Sequence, residues 1–252
     1  MKKLINTSCC ILLFSVWSVA QDVPTRFAVF EDNVKPSMDV QFKEALKKLK
    51  TACEENKITS FSWTSVVFDD NSYHHLVPIK GMRDLDEKNM MAELEGKMGK
   101  EALSAIFRDL GKCVDAQSSS VVSYLPDLSY QASPAADETF RDLLFWQVLP
   151  EKEMEAEGIA MEWKKLHESK NAPNGYAAYR VDFGREPGYV FVSWGKDEAD
   201  HATKAMKNNE ALGEEGKNLW SKTMLITKSY RSRRAWVLPE YSFQAEMTTA
   251  QK

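Results

Sequence analysis

Trp63, His74, Tyr176, Arg180, Asp182 and Trp194 are the side chains of widest chemical scope in this sequence. Two indoles and a phenol can wall a planar ligand, Arg180 and Asp182 bring opposite charges, and His74 can take or give a proton near neutral pH. Alternate residues of a strand share a face. One face of a hairpin then carries Phe61, Trp63, Ser65, Val67, His74, Leu76 and Pro78. Its counterpart later in the chain carries Tyr176, Ala178, Arg180, Asp182, Val190, Val192 and Trp194. The opposite face, with Thr64, Val66, Phe68, Tyr73, His75 and Val77 answered by Tyr179, Val181, Phe183, Tyr189, Phe191 and Ser193, is more apolar. That apolar face is predicted to lie under helices, and the mixed face to line an interior where a small apolar or aromatic ligand would bind. A register slip of one residue exchanges the two faces. The plainer alternative pairs Arg180 with Asp182 on an edge strand and leaves the aromatics to fill a core.

The other candidates carry less. His74 and His75 are strand neighbours, point to opposite faces and cannot chelate one ion, so no metal site is predicted. His167 and His201 fall on helical stretches and read as surface residues. The repeated Gly-x-x-Gly-Lys (Gly96 to Lys100, Gly213 to Lys217) interrupts charged helical sequence and lacks the context of a phosphate loop; the glycines read as a helix end and restart. There is no Gly-x-Ser-x-Gly or His-Glu-x-x-His, so serine-hydrolase and zincin chemistry have no support. Lys228, Arg231, Arg233 and Arg234 read as a solvated strand edge that discourages aggregation.

Several elements must position these residues. The chain has 252 residues, 43% hydrophobic and 28% charged, an ordinary globular composition. Met1-Lys2-Lys3, the apolar stretch Ile11 to Ala20 and the small residues of Ser18-Val19-Ala20 read as a cleaved secretory signal over residues 1–20. The expected location is therefore periplasmic or extracellular. Without that segment, 31 basic residues face 37 acidic ones for a net charge of −6, which disfavours nucleic acid as a partner. No later segment reads as a membrane span.

The mature chain repeats itself. Leu125-Pro126-Asp127-Leu128-Ser129-Tyr130-Gln131 matches Leu238-Pro239-Glu240-Tyr241-Ser242-Phe243-Gln244, an offset of 113 from Pro126 to Pro239. Gly96 matches Gly213 at 117, and Val34-x-Pro36 matches Val148-x-Pro150 at 114. Three matches in the same order predict a duplication, residues 21–131 and 132–244, followed by a disordered tail over 245–252. In the first copy a strand over 26–34 leads to a helix capped by Ser37 with the stripe Phe42, Leu46, Leu49 and Cys53. A hairpin over 61–68 and 73–79, a charged helix broken at the glycines and a strand over 118–125 follow. The second copy repeats this order: a strand over 143–148, a helix with the stripe Ala156, Ile159, Trp163 and Leu166, a hairpin over 176–183 and 189–194, and a strand over 231–238.

Each copy is βαββαβ, which resembles the ferredoxin-like fold. Two in tandem resemble the dimeric α/β-barrel superfamily, to which NIPSNAP-like and antibiotic-biosynthesis-monooxygenase-like proteins belong. The resemblance implies an α+β fold with two sheets packed into an intramolecular barrel and helices outside. It implies no particular function. No cofactor is predicted, although haem-using relatives leave haem open. The same order sends the two helices of a copy in opposite directions, so Cys53 and Cys113 are expected to be unpaired within the chain. Three readings stay open. They are a binding protein for a small ligand between the sheets, a cofactor-independent oxygenase or isomerase with His74 as base and Arg180 or Trp63 steadying an anion, and a homo-oligomerising module that uses sheet edges or the repeated C-terminal arms.

Overall fold

The computed structural model describes residues 25–87, 91–185 and 187–245. The signal reading of residues 1–20 and nearly all of the tail reading therefore lie outside the described residues. The first half contains β1 (Arg26–Val34), α1 (Asp39–Glu55), β2 (Thr64–Phe68), β3 (Ser72–Pro78), α2 (Arg83–Glu87), α3 (Ala92–Met98), α4 (Lys100–Lys112) and β4 (Val114–Tyr124). The second contains β5 (Phe140–Val148), α5 (Glu153–Ser169), β6 (Ala177–Phe183), β7 (Gly188–Gly195), α6 (Glu198–Ile226) and β8 (Thr227–Val237).

All eight strands form one closed antiparallel barrel in the order β1-β3-β2-β8-β5-β7-β6-β4. Cut at β2–β8 and β4–β6, it gives β4-β1-β3-β2 and β8-β5-β7-β6, the same order in both halves. Closure leaves no strand as an edge strand, although β8 meets β2 only over 235–237 and β4 meets β6 only over 121–124.

The predicted helix stripes are the packed ones. Phe42, Leu46, Leu49 and Cys53 of α1 are buried, as are Ala156, Ile159 and Leu166 of α5. Ser37 does not cap α1: Pro36–Met38 form a single 3-10 turn instead, because the fixed φ of proline already sets a helical turn there. One glycine of each pair breaks its helix as read, at non-equivalent places, while Gly96 and Gly216 lie inside α3 and α6. Gly99, at φ +91, separates α3 from α4, and Gly213, at φ +54, kinks α6. Cys53 and Cys113 are both unpaired and buried, in different clusters of the core.

The repeated Leu-Pro segment is an interlock. In each copy the proline opens a 3-10 turn, and the following serine hydroxyl donates to the leucine carbonyl, Ser129 to Leu125 and Ser242 to Leu238, both at 2.8 Å. The same hydroxyls accept backbone N–H groups of the other half, Ala178 to Ser129 at 2.8 Å and Ser65 to Ser242 at 2.9 Å. The aromatic after each serine then pairs with the other half, Tyr130 with Tyr176 and Phe243 with Trp63. The two arms thus clasp the opposite halves of one chain, where sequence reading offered them to other copies.

Candidate functional site

Two cavities open in the described residues, and strand parity decides what each one sees. In the first hairpin Val66 faces His74 and Thr64 faces Leu76, so even residues of β2 and β3 share a face. The expected pairing of even residues on β2 with odd residues on β3 is one residue out of register. The cause lies at the tip. Asn71 has φ +64 and donates its N–H to the carbonyl of Phe68, so Asp69-Asp70-Asn71 is a three-residue loop in place of a four-residue tip. In the second hairpin Tyr179 faces Val190 and Val181 faces Gly188. Gly188 belongs to the strand: a Cβ there would lie 2.4 Å from the carbonyl oxygen of Trp146 on the neighbouring strand.

The barrel interior, a cavity of about 490 Å³, is therefore lined by Val66, Phe68, His74, Leu76, Tyr179, Val181, Val190 and Val192 together with Glu31, Arg141, Arg231 and Arg233. Arg233 corrects the solvated-edge reading: its side chain is largely buried and lies 4.0 Å above the Phe68 ring in the barrel, whereas Arg231 borders the same cavity but is exposed, on a stretch of β8 whose ladder partner among the described residues is β5 alone. His74 and His75 do face opposite ways. His74 lines the barrel, whereas His75 Nδ1 shares a 2.9 Å hydrogen bond with Ser65 Oγ and its Nε2 lies 3.5 Å from Asp32.

The second cavity, about 390 Å³, lies between the outer face of the second half's strands and helices α5 and α6. This is the aromatic one. β5 supplies Leu144 and Trp146, β7 supplies Phe191, the helices supply Trp163 and Trp220, and Tyr176 and Tyr230 complete the wall. Two indole N–H groups are satisfied, Trp146 by Thr227 Oγ1 at 2.7 Å and Trp163 by Thr223 Oγ1 at 2.9 Å. Asn174 and Asn208 bond each other at one margin, while half-exposed Trp220 and Tyr230 meet edge-to-face at another. Lys204 is held by Glu138 and by Asp200.

The polar groups of this cavity are few and specific. Tyr176 Oη is buried without a hydrogen-bond partner, and burial raises the pKa of its phenol, so it remains a protonated donor. His167, read from sequence as a surface residue, is only 8% exposed. Its Nδ1 lies 2.8 Å from the Trp163 carbonyl, which makes Nδ1 the N–H donor and leaves Nε2 with the lone pair. Burial lowers its pKa and favours the neutral ring. Its neighbours are Tyr176, edge-on with centroids 5.1 Å apart, Tyr130 and Trp163. His201 Nε2 lies 2.8 Å from Ser193 Oγ. No helix among the described residues is long and apolar enough to cross a membrane.

The six residues singled out from sequence are thus divided. Tyr176 lines the helix–sheet cavity and His74 lines the barrel, while Trp194 borders the helix–sheet cavity from a strand position of the same parity as the barrel-lining Val190 and Val192. Trp63, Arg180 and Asp182 line neither. Trp63 is core, packed on Phe61 and Phe243 with Nε1 donating to the Tyr241 carbonyl at 2.8 Å. Arg180 and Asp182 pair with each other at 3.1 Å, and Asp182 also meets Arg26 at 3.4 Å. The plainer pairing is what forms, although β6 is not an edge strand. His167, Trp146 and Trp163 were missed as a site because their convergence is tertiary: two come from one helix and one from a strand. The helical spacing of Trp163 and His167, one turn apart on α5, was the available signal.

The comparisons with known proteins concern the fold. The sequence matches no protein-family model and no curated protein. Among solved structures, an anthrone oxidase-like protein superposes with a TM-score of 0.57 at 10% identity, over 90% of this chain and 95% of its own. A putative monooxygenase from Lactobacillus acidophilus gives 0.54 at 11% identity, over 88% and 97%. Chlorite dismutase from Candidatus Nitrospira defluvii gives 0.52 at 8% identity, over 87% and 93%. These belong to the dimeric α/β-barrel superfamily, and this chain has their fold.

Proposed function

We propose that this protein binds a small planar aromatic molecule in the helix–sheet cavity of its second half. The observation that carries the reading is the buried, unpartnered hydroxyl of Tyr176 in an aromatic wall. A buried polar atom without a partner is costly, and a ligand oxygen or nitrogen would satisfy it. The cavity volume lies within the usual range for small-molecule sites. The test uses 2-naphthol as the probe, titrated calorimetrically into the mature chain and a Tyr176→Phe variant. Wild type is expected to bind it, and the variant to bind several-fold more weakly, as losing one neutral hydrogen bond of about 0.5–1.5 kcal/mol implies. Equal affinity in both proteins would refute the role of Tyr176.

A second reading is catalytic and rests on His167. A neutral imidazole whose Nε2 carries the lone pair can take a proton from a phenolic ligand, the first act of an oxygenase or isomerase that works without a cofactor. The superfamily also brings haem into consideration, and His167 is the residue that would hold its iron, since the carbonyl on Nδ1 fixes the ring and leaves Nε2 as donor. Bound haem would supply electron-transfer or oxygen chemistry.

Two further readings rest on sequence pattern. We propose that the halves are duplicated ferredoxin-like units of residues 21–131 and 132–244, supported by their equal strand orders and by the reciprocal clasp. We also propose export with cleavage after Ala20. N-terminal sequencing of the protein recovered from the periplasm or medium should then begin at Gln21, and a first residue of Met1 would contradict it.

A further inference from the structure

The barrel interior carries more positive than negative side chains. Arg141, Arg185, Arg231 and Arg233 line it against Glu31 and Asp70. Register orders three of these arginines along adjacent strands. Arg141 is two residues before Leu143, the partner of Arg233, and Arg231 lies opposite Phe145, two residues further on. Successive inward positions on a strand are about 6.6–6.8 Å apart, so the guanidinium groups form a ladder from one end of the barrel toward the other.

The rungs are not equivalent. Arg233 is ion-paired with Asp70 at 2.6 Å, donates to Ser72 Oγ at 2.9 Å and lies over Phe68. Arg231 lies 5.2 Å over the Phe145 ring. Arg141 is held by main-chain acceptors: its Nη1 donates to the carbonyls of Glu138 at 2.5 Å and Phe140 at 2.9 Å. Among the described residues no carboxylate comes within ion-pair distance of it, and its Nε and Nη2 donors make no hydrogen bond. Partial burial depresses its pKa against the opposing pull of the Glu138 carboxylate. Tyr179 lines the same cavity, and its phenol is kept protonated by burial. Around this pair the barrel wall is hydrocarbon, with Val29, Leu76, Val122, Val190, Val192 and Val237.

A half-buried cation facing a cavity with no carboxylate in contact is favoured by an anionic ligand that pairs with it on arrival. A guanidinium fork beside a phenol matches two oxygens of a carboxylate, and the valine-rich wall matches an alkyl body. We propose that the barrel interior is a second binding site, separate from the helix–sheet cavity, for an amphipathic organic carboxylate whose head group pairs with Arg141 and Tyr179. Inorganic phosphate could use the same fork but gains nothing from the hydrocarbon wall.

The test uses decanoate, decanol and inorganic phosphate as probes on the mature chain, read by thermal shift and calorimetry. Decanoate is expected to raise the melting temperature of wild type more than either decanol or phosphate. Arg141→Met should weaken decanoate binding at least tenfold while the free variant melts no lower than wild type, because a half-buried charge with no carboxylate in contact has gone. Tyr179→Phe should weaken it several-fold, and Tyr176→Phe should leave it unchanged. Should Arg141→Met not fold, Arg141→Gln carries the same expectation for binding. The proposal is overturned if decanoate does not bind wild type, if it binds the Arg141 variant equally well, or if phosphate protects as strongly as decanoate.

Discussion

Acidification from pH 7 toward pH 4 is expected to destabilise this protein steeply, and replacing His74 should remove the largest single part of that loss. The His74 ring lies 4.2 Å from the Phe68 ring between centroids, with Nε2 3.7 Å from Glu31 and 3.5 Å from Ser72 Oγ. Burial is the main cause of its depressed pKa, about 3, and the Arg233 guanidinium pushes the same way, against weaker support from Asp70. In the unfolded chain the imidazole returns to about 6.5. A histidine whose folded pKa is depressed contributes stability that is fully present above pH 6.5. That contribution is lost as pH falls toward 3, because the unfolded state binds the proton first. At about 1.36 kcal/mol per pH unit, the loss by pH 4 is on the order of 3 kcal/mol. His167 and His201 are also depressed by burial and add to the same loss. Urea unfolding between pH 4 and 8 should therefore show a clearly shallower decline for His74→Leu than for wild type, with a residual slope from the other two imidazoles. Parallel curves would mean that His74 is solvated.

That expectation could not have come from the sequence, which placed His74 among aromatics in a ligand pocket and offered it as a base. What was legible was everything set by local period: the α1 and α5 stripes, the glycine breaks at Gly99 and Gly213, and the repeated Leu-Pro segment. What failed was parity. One left-handed residue, Asn71, shortened a tip by one position, and Gly188 joined a strand that sequence had begun one residue later. Each of these shifts exchanges the faces of one strand of its hairpin, β2 in the first and β6 in the second, and leaves β3 and β7 facing as read. Trp63 and Tyr176 illustrate the remaining limit. They sit at equivalent places 113 residues apart and make the same backbone bridge to the clasping arm of the other half, yet one is packed core and the other lines a cavity. The difference lies in the helices that cover each sheet, and pattern along a single strand does not report that.

The helix–sheet cavity makes its own demand on stability, through Trp146. This indole is 4% exposed, donates to Thr227 at 2.7 Å and packs against Tyr189 and Phe191 with centroids 5.6 and 6.1 Å away. Trp146→Ala is expected to cost about 3–5 kcal/mol, since a large side chain is deleted where closed barrel strands cannot collapse around the gap. Trp146→Phe keeps a ring but loses the indole N–H bond, and should cost about 1–3 kcal/mol. Trp220→Ala, at the half-exposed margin of the same cavity, should cost less than Trp146→Ala, because much of its surface is already in water. Urea denaturation of the three variants gives the order directly. If Trp146→Ala proved no more costly than Trp220→Ala, the indole would have to be mobile in the free protein, and the cavity would be a space that its ligand organises instead of one the fold already holds open. Stability that falls from wild type to Trp146→Phe and again to Trp146→Ala would identify a preformed site, with 2-naphthol binding weakened in proportion to the wall that is removed.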